Sequence, residues 1–148
     1  MADAIVVEGW REIVRRMNRL PKVAQAELRE QARAIAADEA ARIQRAGASD
    51  DLQSQAVATF IRARSDRVPS IVATSSRKAG VSGGATVRQL FYGAEFGGGR
   101  RPTTQQFRPW RGREGHWFWP TLRADQGRMV ERWEMALRAI EREWTREG

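Results

Sequence analysis

The sequence predicts an α+β fold: two N-terminal helices, a small antiparallel sheet with a long basic loop, and a C-terminal amphipathic helix. Three observations lead there. Helical periodicity runs through the first third of the chain and is interrupted only at Pro21. β-Branched and aromatic residues replace it after Ser49-Asp50-Asp51. Apolar steps of three and four return near the C-terminus.

In residues 7–20, Trp10, Ile13, Val14, Met17 and Leu20 share a helical face, with Arg11, Arg15, Arg16 and Arg19 on the others. Pro21 suits the start of a second helix. Residues 22–46 are alanine-rich, a composition of high helix propensity, with Leu28, Ala32, Ile35, Ala36 and Ile43 as the apolar stripe. Gly47 is the expected stop. Residues 57–64 (VATFIRAR) and 68–75 (VPSIVATS), separated by Ser65-Asp66-Arg67, read as a β-hairpin. A Gly/Ser-containing basic loop follows over residues 77–84. Residues 87–96 (VRQLFYGAEF) fit a short helix or a strand equally well.

Gly97-Gly98-Gly99-Arg100-Arg101-Pro102 opens an irregular stretch reaching Gly115, and loops of that length usually carry function or move. Trp117-Phe118-Trp119 reads as a short aromatic strand, and Pro120 as the seat of the last helix. That helix has Met129, Val130, Trp133, Leu137, Ile140 and Trp144 on one side, with Glu134 and Arg138 as an i,i+4 pair. With 148 residues, one domain (1–148) with one core is expected.

Composition narrows the function classes. The chain has no cysteine, which excludes disulfides and thiolate metal sites. No apolar run approaches the roughly 18–20 residues that cross a bilayer, and the first residues lack the pattern of a signal peptide. Mean hydropathy is −0.61, on the polar side, which suits a small fold whose elements wait for a partner. The net charge of +8 is concentrated in residues 76–116, which hold eight basic and two acidic side chains. Of the basic residues 24 are arginine and 2 lysine, a bias that favours bidentate pairing but that GC-rich coding also produces.

Catalysis lacks its usual groups. A Ser-His-Asp triad would rest on His116, the single histidine, which reads as a loop residue bonded to main chain or solvent. Glu141 and Glu143 occupy different helix faces and read as solvated charge. The Gly97–Arg101 run lacks the Gly-Lys-Ser/Thr ending of a phosphate loop. No enzyme activity, cofactor or metal is expected. The interleaving of Arg100, Arg101, Arg108, Trp110, Arg111 and Arg113 is more suggestive. Arginine and tryptophan grip single-stranded nucleic acid by charge and stacking. They are also the enriched anchors of protein interfaces. Trp110 is the expected exposed anchor, whereas Trp133 and Trp144 read as packing residues.

The order of short motifs resembles the tail-component family of long-tailed bacteriophages, whose members are described as tail-completion, neck or head–tail joining proteins. The matching pieces are the helix pair around Leu20-Pro21-Lys22, the run Phe91-Tyr92-Gly93-Ala94-Glu95-Phe96-Gly97, and the step Phe118-Trp119-Pro120-Thr121-Leu122. Two pieces depart: Ala48-Ser49-Asp50-Asp51-Leu52 stands for an Asp-Thr-Gly-x-Leu element, and a Gly run with an arginine-rich insertion replaces Gly-Thr after Glu95-Phe96. The resemblance implies a structural virion protein of the neck, assembled in the host cytoplasm. It would form a homo-oligomeric ring, a hexamer being one expectation, between neighbouring connector and tail-terminator or tail-tube proteins, with double-stranded DNA passing through and no membrane. It marks Tyr92, Glu95, Phe96, Gly97, Phe118 and Pro120 as motif residues. The rival readings are a nucleic-acid-binding module using loop 97–117 and a small ribonuclease-like toxin.

Overall fold

The computed structural model describes residues 9–98, 107–110 and 112–146. The order is α1 (Trp10–Arg19), α2 (Lys22–Ala48), α3 (Leu52–Ala58), β1 (Arg62–Arg64), β2 (Ser70–Val72), α4 (Val87–Phe96) and α5 (Phe118–Arg146), with single 3₁₀ turns at Ser82–Gly84 and Gly112–Glu114. The fold is α+β. Its sheet is one antiparallel pair in which Arg62, Ala63 and Arg64 face Val72, Ile71 and Ser70.

α2 is the beam on which the domain hangs. At 27 residues it is about 40 Å long, and it serves two hydrophobic clusters instead of the one core expected. Its first half supplies Ala24, Leu28, Ala32 and Ile35 to a cluster with Ile13, Met17 and Leu20 of the α1 end and with Trp133, Leu137 and Ile140 of α5. Its second half supplies Ala40 and Ile43 to another cluster with Val57, Ile61, Leu90, Phe91, Trp117 and Phe118. Trp133 is fixed by its Nε1–H, which donates to the Arg67 carbonyl at 2.8 Å and so ties the hairpin turn to α5.

Three expectations need correction. The segment read as the start of a strand is helix: Asp51 Oδ1 accepts from Ser54 N at 2.9 Å and caps α3, burying Val57 and Ala58. The strand proper is only residues 62–64. Gly47 does not stop α2, which runs on to Ala48. A β-carbon there would overlap that of Ala58 and come within 2.9 Å of Trp117 Cε3, so the glycine is a packing notch. Trp117-Phe118-Trp119 is no strand but the entry to α5. Residues 87–96, open between helix and strand, form α4, started by a capping box between Thr86 and Gln89. The first residues of the segment expected to be helical from residue 7 lie outside the described residues.

Between the two clusters α2 places a carboxyl group. Glu39 is 1% exposed, and its Oε1 has no hydrogen-bond partner. Asp125 of α5 faces it and pairs through Oδ1 with Arg128 at 3.2 Å and Arg42 at 3.6 Å. Burial, a hydrogen bond with Asp125 and the Asp125 charge push the Glu39 carboxyl up to about 7, against the pull of Arg42 and Arg128. A carboxyl raised in the folded state stabilises while it keeps its proton. That contribution is complete below about pH 4.5 and is lost as pH rises through about 7. Glu39→Gln should therefore raise stability at pH 8 by about 1–3 kcal/mol and leave it unchanged near pH 4.5, as read by thermal denaturation. A pH profile parallel to that of the parent chain would refute the assignment. Gly47→Ala should cost about 1–3 kcal/mol in the same measurement.

Candidate functional site

The last turn of α4 and the first turn of α5 form a single unit. Helix starts leave main-chain N–H groups without partners, and a buried helix start must satisfy them from elsewhere. Here Glu95 does so from 23 residues away in sequence. Its Oε2 accepts from Phe118 N at 2.7 Å and Trp117 N at 3.2 Å, and its Oε1 accepts from Trp119 N at 3.0 Å. Pro120, next in line, has no N–H to satisfy. The carboxylate also faces the positive end of the helix dipole. Glu95 is fully buried. Burial pushes its carboxyl above the ordinary range, while main-chain hydrogen bonds from Phe118, Trp119, Trp117 and His116 pull the other way.

The carbonyl end of α4 is satisfied by the same downstream segment. His116 Nδ1 lies 2.7 Å from the Glu95 carbonyl oxygen. The Ala94 carbonyl accepts from Trp117 Nε1 and from the Arg108 guanidinium, each at 3.3 Å. Gly115 allows this approach: its φ is +75°, and a β-carbon would overlap Glu95 Oε1. Around the carboxylate stands an aromatic shell. Phe91 meets Trp117, Phe118 and Tyr92 edge-on at centroid distances of 6.0, 5.3 and 5.6 Å.

Arg108 is drawn into the fold. Its NH1 and NH2 donate to Asp50 at 2.8 and 2.5 Å, and its Nε lies 3.2 Å from Asp51 Oδ2. Burial pushes the Asp50 carboxyl up, but hydrogen bonds from Arg108 and Ser54 outweigh it and hold it below its ordinary value. Arg108 thus anchors the returning loop to the α2–α3 corner. Of the other loop residues singled out, Arg100, Arg101 and Arg111 lie outside the described residues. Trp110 is 64% exposed, and Arg113 is also on the surface.

Trp110 and Arg113 border an open groove of about 1110 Å³ that runs between β2, α4 and the start of α5. Tyr92, Phe96 and Gly97 from one resembling motif and Phe118 from the next line it, together with Ile71, Ala73, Trp119, Leu122 and Arg123. Pro120, the remaining motif residue, is exposed on the first turn of α5. The structure therefore gathers the motif residues 92–97 and 118–120 at one place. Sequence reasoning did not find Glu95's capping role, since nothing local marks a carboxylate that serves a helix 23 residues later. Among the described residues no group of three or more His, Asp or Glu side chains could hold a metal ion, and no helix is long and apolar enough to cross a membrane.

Compared with protein-family models, curated proteins and solved structures, the chain finds no match.

Replacing the keystone should show its weight. Glu95→Ala strands three main-chain donors, two of them buried, and should destabilise the domain by about 3 kcal/mol or more. Glu95→Gln should recover only part, since its amide group presents N–H to N–H at one oxygen position. Urea denaturation of the two variants checks the order; equal stability of all three chains would contradict the capping role.

Proposed function

We propose that this chain is a non-enzymatic structural subunit of the neck of a long-tailed bacteriophage virion, forming a ring that joins the portal side of the capsid to the tail and lets DNA pass. The observation that carries the reading is the ordered resemblance of Leu20-Pro21-Lys22, residues 91–97 and residues 118–122 to the tail-component family. The fold supports it, because Glu95 of the second motif caps the helix that the third begins. Large apolar side chains left on the surface, among them Tyr92, Trp110 and Met135, support burial against other subunits. A ring is built from heterologous contacts, which cover different faces of each copy. Its partners would be further copies of the chain, six in a hexameric ring, and the neighbouring connector, tail-terminator or tail-tube proteins.

Mass photometry and negative-stain imaging of the purified chain, alone and with phage connector proteins, should show closed rings or joint assemblies. Compact monomers under every condition would overturn the reading. A second reading, a nucleic-acid-binding module, draws on exposed Trp110 beside Arg113. It requires affinity that falls steeply with salt and drops on Trp110→Ala and Arg113→Ala. Binding indifferent to both changes would sink it.

A further inference from the structure

We infer that the outer edge of β2, with the aromatic groove beside it, takes up an extended acidic segment of a protein partner by strand addition. The main chain is the first argument. Among the described residues β2 pairs only with β1, and β1 packs more extensively than β2 against α2. Among the described residues no other main-chain hydrogen bond engages residues 70–74. A strand with one unpaired edge offers alternating N–H and C=O groups at the spacing an added strand needs.

The side chains beside that edge form the second argument. Ile71 of β2 and Ala73, just past the end of the strand, both open onto the groove. Tyr92, Phe96, Trp110 and Trp119 line the same groove. Tyr92 stacks on Phe96 with centroids 6.4 Å apart and remains 62% exposed. An incoming strand would lay every second side chain on this aromatic floor and turn the others outward.

Charge selects the occupant. The charged residues lining the groove are Arg113 and Arg123, with no acidic side chain among the described lining. Among the described residues neither is paired with a carboxylate: Arg123 NH2 donates to the carbonyls of Arg113 and Glu114 instead. Carboxylates alternating with apolar side chains match both features. A nucleic-acid backbone meets the arginines but offers phosphate acceptors only, so it cannot complete a ladder that also needs donors.

The test is fluorescence anisotropy with a fluorescein-labelled Val-Glu-Val-Glu-Val-Glu peptide and the full chain. The peptide should bind, and alternate N-methylation of its amides should abolish binding, because only strand addition needs those N–H groups. The lysine counterpart and an oligothymidylate should bind at least about tenfold more weakly. Tyr92→Ala and Arg123→Glu should each weaken the glutamate peptide about tenfold; both side chains are exposed, and circular dichroism verifies that the variants fold. Absent binding, equal binding of the N-methylated or lysine peptide, or tighter binding of the oligothymidylate would each overturn the inference. Rings that form without peptide binding would leave the connector role standing and remove only this one.

Discussion

One buried carboxylate holds the second half of this domain in place. Glu95 accepts from three successive main-chain donors at the start of α5. Without it a helix of 29 residues would begin inside the protein with its positive end unanswered. The cost of burying the carboxylate is offset in part by hydrogen bonds that only its ionised form makes in full. Everything nearby follows from that placement. Gly115 must lack a β-carbon, His116 falls against the α4 carbonyl end, and the aromatic residues 117–119 have one direction in which to pack.

The fold class and the long helices were legible because periodicity over many residues averages out local exceptions. The stripe Leu28, Ala32, Ile35, Ala36 and Ile43 is buried as its spacing requires, and so are Trp133, Leu137 and Ile140 of α5. Short elements were harder. In residues 57–64, β-branched composition pointed to a strand, whereas Asp51 as a helix cap and the burial of Val57 and Ala58 decided for helix. The cap was visible in Asp51-Leu52, but seven residues of helix leave little periodicity to weigh against β propensity. The aromatic run 117–119 misled for a related reason. Composition cannot separate a strand from a buried helix start when the deciding partner, Glu95, lies on another element.

The site was legible in part. Trp110, Tyr92, Phe96 and Phe118 could be singled out as chemistry-bearing or motif residues, and they border one groove. Their convergence depends on the long-range cap and on the Arg108 pairings with Asp50 and Asp51, neither of which has a local signature. Arg108 illustrates the difficulty. In sequence it is one arginine among several in a basic loop, and only three-dimensional packing distinguishes a structural anchor from a surface charge.

The division of α2 between two clusters has a mechanical consequence. The α1–α5 end and the aromatic end are joined by α2 and α5 but have no buried side chain in common, and a carboxyl pair, Glu39 and Asp125, lies between them. Local opening starts where burial is interrupted by polar groups, and this boundary is such a place. Protection of main-chain amides at the α1 end can fade while those around Glu95 stay closed. A domain built this way can yield at one end while the other end keeps its shape.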